Sequence, residues 1–309
     1  MDFKDFMEEQ ENNSLVPVNS NALGRVSNTI SITNKLLKIE IDPVVFWQSL
    51  DNLWKAILFA NLIRNDKSDI FKNVESLFFN IDKISKISES DVNSILNMNK
   101  IEYNCFRNSS PLKISNVSPL TRLTSLRELH LGYNQISDIS PLARLDSLES
   151  LNLNDNLITD LKPLTNLRNI RFLYLDNNRI QDITPLGKIN NLIHLYLYNN
   201  KISDISSLTQ LKNLTVLYLS KNEINNIEPI SKLKKLSALL LEDNKIVNIS
   251  HLSSLKNLNY LNLKNNLIID VDLLVNLYGI KKLNINGNPI SDIKIQFLKK
   301  SILNCELIY

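Results

Sequence analysis

The stretch LYLDNNRI at residues 173–180 recurs in varied form along the chain. Its Asn178 belongs to a column of asparagines in which each member is 22 residues from the next. We call this column the Asn ladder: Asn134, Asn156, Asn178, Asn200, Asn222, Asn244, Asn266 and Asn288. A constant internal period of this length predicts a solenoid, in which every repeat forms one coil stacked on its neighbours.

Alternation within the stretch predicts one short strand per coil. Leu173 and Leu175 are two residues apart, so their side chains share one face of a strand while Tyr174 points to the other. Asn178 follows where the strand ends. A buried amide can donate and accept there, satisfying backbone groups of its own coil and of the adjoining one, whereas an ionised aspartate could not donate. We therefore predict a structural role for the Asn ladder.

The second half of each repeat predicts a tight return path. Its apolar residues are three apart, which fits a 3₁₀ conformation, as in Ile180, Ile183, Leu186, Ile189 and Leu192. A proline column disfavours a long helix there: Pro141, Pro163, Pro185 and Pro229. A second polar column is expected to accept local backbone N–H bonds rather than to hold metal: Asp138, Asp160, Asp182, Asp204, Asn226, Asn248 and Asp270.

These residues match the leucine-rich repeat pattern L-x-x-L-x-L-x-x-N and resemble its 22-residue class. Bacterial internalins and a phosphatase-regulatory subunit of eukaryotic nuclei belong to that class, and its return segment is nearly verbatim ISDISPL at residues 136–142. The resemblance covers about residues 114–290. It implies an α/β solenoid, a right-handed horseshoe with a parallel sheet on the concave side and a 3₁₀ or irregular convex side. Function does not follow from this fold alone.

The flanking sequence predicts caps at both ends of the solenoid, because exposed end coils need a cover. The expected regions are a disordered acidic tail (1–13), a leader or arm (14–41), a helical N-terminal cap (42–100), the repeats with a degenerate first coil (101–290) and a C-terminal cap (291–309). Within the leader, Thr29–Thr33 alternates like an edge strand.

Three helices are expected in the N-terminal cap. The first begins at Pro43 behind the N-cap Asp42 and continues to Leu62, with Trp47 and Trp54 on a buried stripe. The others are Ile70–Phe79 and a helix opening at Ser88. At the far end, Asp292 is expected to cap a short helix, and Cys305–Tyr309 to form an extended tail.

Composition and the N-terminal sequence favour a protein that works in the cytoplasm, and the resemblance implies a bacterial one. The chain has 309 residues, 43% of them hydrophobic and 22% charged, with a net charge of +3, which gives no reason to expect a polyanion. Cys105 and Cys305 are far apart and are predicted to be reduced, buried thiols. The N-terminus lacks the apolar core of a secretory signal, and no apolar run is long enough to span a bilayer.

The candidate site lies on the outward face of the strands. Between the two strand leucines, the eight repeats carry His130, Asn152, Tyr174, Tyr196, Tyr218, Leu240, Asn262 and Asn284. The three tyrosines fall on neighbouring coils, and we predict an aromatic patch that binds a protein partner: Phe172, Tyr174, His194, Tyr196, Tyr198, Tyr218 and Tyr260. The alternative is that tyrosine is repeat consensus and assists strand pairing. Charges of both signs around the patch suit a protein rather than a nucleic acid.

No catalytic residue, metal site or cofactor is expected, and no small-molecule substrate or membrane contact. His130 and His194 are three coils apart, His251 falls on the return path, and five glycines leave no phosphate-binding loop. Two other functions stay open. The chain could be a regulatory subunit that targets through its leader and helical cap, or an enzyme with its site in the cap.

Overall fold

The structure is a computed structural model that describes residues 43–62, 89–102 and 113–309. Contacts divide the chain into two units, residues 1–46 and 47–309. The predicted strand at Thr29–Thr33, the predicted helix Ile70–Phe79 and the environment of Cys105 lie outside the described residues. The predicted domain boundaries remain predictions.

In its described residues, the larger unit contains one open sheet of ten parallel strands that pair in sequence order. The strands are β1 Lys100–Glu102, β2 Glu128–His130, β3 Ser150–Asn152, β4 Phe172–Tyr174, β5 His194–Tyr196, β6 Val216–Tyr218, β7 Ala238–Leu240, β8 Tyr260–Asn262, β9 Lys282–Asn284 and β10 Glu306–Ile308. From β2 to β9 the middle residue is a buried leucine, and these leucines pair in register, as Leu151 does with Leu173. The predicted leucine-rich-repeat fold is thereby confirmed.

The two end strands depart from the repeat period. Lys100 pairs with Glu128, so the interval between β1 and β2 exceeds the period and the first coil is longer than predicted. At the other end Glu306 pairs with Lys282, again at an interval longer than the period. The expectation that the C-terminus finishes as a simple extended tail was therefore incomplete, because β10 joins the sheet and extends it by one strand.

A five-residue 3₁₀ helix forms the return path of the first coil and of the coils of Asn134 to Asn266, as predicted, whereas an α-helix follows Asn288. In the coil of Asn178 the apolar residues Ile180, Ile183 and Leu186 are buried around its 3₁₀ helix. The 3₁₀ helices are Ser118–Arg122, Ser140–Arg144, Lys162–Asn166, Thr184–Lys188, Ser206–Gln210, Glu228–Lys232, Ser250–Ser254 and Asp272–Asn276. The polar column precedes them, and each side chain accepts a local N–H bond. Asp182 Oδ1, for example, accepts from the Thr184 N–H at 2.8 Å, which confirms the structural interpretation.

The Asn ladder joins successive coils. Asn200 Nδ2 donates to Leu175 O of the preceding coil at 3.0 Å and to Leu197 O of its own coil at 3.2 Å. Its Oδ1 accepts from the Ile180 N–H at 3.0 Å. The amide therefore uses donors and acceptor together, as predicted, and the pattern repeats from Asn156 to Asn288.

The residue before each ladder asparagine has a left-handed backbone, with φ between 52° and 71°. Only Gly287 is a glycine, although this conformation costs other L-residues about 1–2 kcal/mol each. The turn that brings the asparagine inward therefore imposes a local cost, which the buried hydrogen bonds of the ladder offset.

Helices precede and follow the repeats along the chain. They are α1 Pro43–Ser49, α2 Asn52–Leu62, α3 Glu89–Leu96 and α4 Asp292–Ser301. The single helix predicted through Leu62 is interrupted, because Asp51 Oδ1 accepts the Trp54 N–H and starts α2 afresh. Trp54 is buried, and its Nε1 donates to Asn116 O at 2.9 Å, which ties α2 to the first coils. The N-cap of α4 is Ser291 rather than the predicted Asp292.

The ladder gives a stability prediction for Asn200→Asp. The carboxylate could still accept the Ile180 N–H but could not donate to the two carbonyls, and it would place a charge in a buried site, so we expect a loss of about 2–4 kcal/mol. Urea unfolding followed by circular dichroism measures the loss. The control is Asn225→Asp at an exposed asparagine outside the ladder, which should change stability by about 0.5 kcal/mol or less. Equal losses in the two variants would contradict a special role for the ladder.

Candidate functional site

Aromatic side chains meet on the side of the sheet that faces away from the leucine core, which we call the sheet face. Phe172 and Tyr174 flank the buried Leu173 on β4, and His194 and Tyr196 flank Leu195 on β5. Tyr218 follows on β6, paired in register with Tyr196. We call these five the aromatic cluster: Phe172, Tyr174, His194, Tyr196 and Tyr218.

The rings of the aromatic cluster touch in an unbroken series. Tyr174 and Tyr196 stack with ring centroids 4.6 Å apart and planes 14° apart. Tyr218 meets the other side of Tyr196 at 4.6 Å in an edge arrangement. His194 lies edge-on to Phe172 at 5.1 Å. Parallel strands in register place identical positions side by side, which is why the sequence column becomes a continuous aromatic surface.

Exposure differs within the cluster. His194 and Tyr196 are only 2% and 6% exposed, although their strand positions predicted outward-facing side chains. Phe172, Tyr174 and Tyr218 are partly exposed. Tyr196, held between Tyr174 and Tyr218, therefore acts as a fixed platform for its neighbours more than as free contact surface.

Two predicted site residues lie apart from the cluster. Tyr198 follows β5, and Lys221 Nζ lies 5.2 Å from its ring centroid. Tyr260 begins β8, two strands from the equivalent position on β6, with Ala238 between them. The structure thus brings five of the seven predicted residues together and places Tyr198 and Tyr260 at the margins.

A titratable pair that the sequence did not single out borders the cluster. Burial raises the pKa of Asp176 to about 7, against the lowering effect of the hydrogen bond that its Oδ1 accepts from the Tyr198 N–H at 2.7 Å. The neighbouring carboxylate of Asp155 raises the pKa of Asp176 further, and burial also raises the pKa of Asp155. For His194, burial and then the charge of Arg171 lower the pKa to about 4, so the imidazole is neutral near pH 7.

The remaining charges around the sheet face are mixed, and several are paired. Lys245 Nζ lies 3.2 Å from Glu223 Oε2, and Lys264 Nζ lies 3.1 Å from Glu242 Oε1. Such exposed pairs add little stability. These two pairs therefore add no net charge to the rim.

The histidines are separated as the sequence indicated. His130 on β2 and His194 on β5 are three strands apart, and His251 lies in the 3₁₀ helix Ser250–Ser254. Among residues 43–62, 89–102 and 113–309, no group of three or more His, Cys, Asp or Glu side chains is arranged to hold a metal ion. No helix in the same ranges has the length and apolar character needed to cross a bilayer. Cys305 is a free, half-buried thiol, and burial raises its pKa to about 11.

Comparison with known proteins identifies the family. A family model described as leucine rich repeats (two copies) matches residues 146–188 and 190–235. The internalin InlF of Listeria monocytogenes is similar in structure with a TM-score of 0.62 and 31% identity, over 74% of this chain and 72% of that chain. Internalin C2 of the same species gives a TM-score of 0.59 and 30% identity, over 76% and 92%. The chain belongs to the leucine-rich repeat family.

Within that family its likeness to internalins confirms the resemblance seen in the sequence. A leucine-rich repeat protein of Leptospira interrogans is also similar, with a TM-score of 0.55 and 28% identity, over 64% of this chain and 58% of that chain. No curated protein matches the sequence. Leucine-rich repeat proteins of this kind are protein-interaction modules and are typically not enzymes.

The raised pKa of Asp176 gives a prediction for the dependence of stability on pH. The folded protein holds the proton more tightly than the unfolded chain, so the contribution of Asp176 to stability is lost as pH rises from about 4 to about 7. Asp176→Asn keeps an acceptor for the Tyr198 N–H and cannot ionise. We expect the variant to exceed the wild type in stability at pH 8 by on the order of 2 kcal/mol, with the difference shrinking toward pH 4, in urea titrations at each pH.

Asp182→Asn is the control, with the opposite sign. Hydrogen bonds from Thr184 lower the pKa of Asp182, so this variant should be the less stable protein at neutral pH and should approach the wild type in acid. Parallel pH curves for Asp176→Asn and the wild type would show that Asp176 is not protonated preferentially in the folded state.

Proposed function

We propose that this leucine-rich repeat protein is a non-catalytic interaction module that binds a protein partner on its sheet face, through the aromatic cluster. The observation that carries the proposal is the unbroken contact of five aromatic rings across β4, β5 and β6. Large, rigid aromatic side chains with polar tips are the residues that most often dominate protein interfaces, and they lose little conformational freedom on binding.

Comparison among the coils favours a binding role over repeat consensus. The equivalent position holds His130 on β2, Leu240 on β7 and Asn284 on β9, yet all these strands pair in the same register as β4 to β6. Strand pairing therefore does not require tyrosine. At this position the tyrosines are confined to β4, β5 and β6, where a partner lying across the sheet would make its central contacts.

The margins of the cluster support a protein partner in particular. Interfaces have an apolar centre and a polar rim. Here the partly exposed rings are bordered by carboxylates, amides and lysines, so the rim carries charges of both signs. Tyr198, with Lys221 beside its ring, and Tyr260 extend the predicted surface to either side. Action in a bacterial cytoplasm, without a cofactor, a nucleic acid or a membrane, remains part of the proposal.

The helical cap offers less support for the alternative functions. The tryptophans that might have lined a site there, Trp47 and Trp54, are 7% and 1% exposed. They belong to the packed interior, as expected for a cap that covers the first coil. No feature of the described cap residues favours a catalytic or targeting role over the role of covering the first coil.

Photo-crosslinking tests the proposed face. A benzoylphenylalanine placed at Tyr218 in the full chain should form a covalent adduct with one specific protein in a bacterial cytoplasm, identified by mass spectrometry. The matched control carries the same residue at Tyr278, which is 82% exposed and lies outside the sheet face, and should not form that adduct.

The partner so identified is then purified, and its affinity is measured by calorimetry with Tyr218→Ala and Tyr278→Ala. We expect Tyr218→Ala to lose about 2 kcal/mol of binding energy, or roughly thirtyfold in Kd, with circular dichroism showing that it is folded. Tyr278→Ala should bind like the wild type. A partner that binds both variants with equal affinity would place the interface elsewhere, with the leader and helical cap as the next regions to test.

A further inference from the structure

Lysine and arginine side chains that form no salt bridge with a carboxylate are concentrated along one edge of the solenoid, away from the sheet face. This edge is formed in each full coil by the four residues that begin with the last residue of the 3₁₀ helix and lead toward the next strand. Across eight coils these segments contain nine basic residues and a single acidic one, Asp146. We call it the basic edge: Arg122, Arg144, Arg168, Lys188, Lys212, Lys232, Lys234, Lys235 and Lys256.

The opposite edge has the reverse character. It is formed by the segment that runs from the end of each strand through the Asn ladder to the polar column, as residues 176–182 do in the coil of Asn178. The eight segments that contain the Asn ladder, from residues 132–138 to residues 286–292, hold eleven acidic residues and five basic ones. A net charge of only +3 for the whole chain therefore conceals two edges of opposite sign. The segregation follows the repeat frame, so it extends along the stacked coils instead of forming a local patch.

The cations of the basic edge are available to a partner. All nine are exposed, and within the described part of the chain none lies in a salt bridge. Lys234 and Lys256 donate to backbone carbonyls of the next coil, and Lys256 also lies over the Tyr278 ring. These contacts leave the positive charge uncompensated. On the opposite edge, by contrast, Lys245 and Lys264 each reach a glutamate.

A second series of asparagines holds the basic edge rigid. Asn169 Nδ2 donates to Asp146 O of the preceding coil at 2.8 Å, and Asn191 Nδ2 donates to Arg168 O at 2.8 Å. Asn213 and Asn257 repeat the bond at 3.0 and 2.8 Å. Successive basic segments are thus stacked directly on one another, about 4.8 Å apart. Placing like charges on neighbouring coils costs folding energy, so the fold itself gains nothing from the arrangement.

We propose that the basic edge is a second interaction surface, which binds an acidic segment of a polypeptide by charge complementarity. A row of cations on a fixed backbone attracts a negatively charged chain over a long distance and speeds its encounter. A single-stranded nucleic acid would need aromatic side chains interleaved with the cations, and Tyr278 is the one aromatic residue in these eight segments. The proposal is independent of partner binding at the sheet face.

Charge reversal in the full chain tests the basic edge. The basic-edge variant combines three substitutions, Arg168→Glu, Lys212→Glu and Lys234→Glu. The control variant combines Arg179→Glu, Lys201→Glu and Lys300→Glu, which replace three exposed cations elsewhere and change the net charge by the same amount. The probe is a fluorescein-labelled peptide of alternating glutamate and serine. Fluorescence anisotropy is recorded at low ionic strength and at about 0.15 M, with an oligonucleotide of matched charge in parallel.

We expect the basic-edge variant to weaken peptide binding by about tenfold or more and the control to change it by less than about twofold, with added salt weakening the binding of the wild type. Circular dichroism establishes that both variants are folded. Equal weakening in both variants would reduce the effect to net charge and overturn the proposal, as would absence of peptide binding to the wild type. Tighter binding of the oligonucleotide than of the peptide at about 0.15 M would also overturn it, in favour of a nucleic acid.

Discussion

A buried primary amide at the end of each strand is the interaction on which the rest of the solenoid depends. A coil that turns inward after three strand residues leaves carbonyl and N–H groups without partners in the sheet, and such groups are costly to bury. Asn200 illustrates the solution, since it donates to two coils and accepts from one through a single side chain. Only an uncharged group with donors and an acceptor fulfils this requirement, so the column admits neither aspartate nor an apolar residue.

The ladder has a geometric consequence, because it holds every full coil to the same length. Each position of the repeat is then stacked on the same position of the next coil. A residue type that recurs at one repeat position therefore forms a row along the solenoid. The leucine positions form the core, and the asparagine positions form the hydrogen bonds between successive coils. The outward positions are left free to vary, and the variation is where function can reside.

Three surfaces arise from this freedom. The sheet face carries aromatic rings in its middle coils, with the buried His194 and Tyr196 supporting the more exposed Tyr174 and Tyr218. One edge is rich in acidic residues, several of them paired with lysine or held by backbone N–H groups. The other edge bears cations without carboxylate partners on a second asparagine series. A compact globular fold would mix such features, whereas a solenoid keeps them apart because its frame does not drift.

The first and last strands show where the regular frame stops. The intervals between β1 and β2 and between β9 and β10 both exceed the repeat period, and neither could be read from that period. Terminal coils contact a neighbour on one side only, so their sequences are under different packing constraints from the internal repeats. At the N-terminal end, helix α2 packs where a preceding coil would otherwise lie, and the Trp54 indole N–H donates to the Asn116 carbonyl.

The sequence by itself determined the fold, the Asn ladder, the 3₁₀ return path and the aromatic column, because each depends on local periodicity that one strand or one turn expresses directly. It also specified the composition of the candidate site, including Tyr174, Tyr196 and Tyr218. Only the tertiary structure decided that His194 and Tyr196 are buried, that burial raises the pKa of Asp176 to about 7, and that β10 joins the sheet. Those properties depend on which atoms surround a group in space, and many of those atoms belong to neighbouring coils, which no local sequence pattern records.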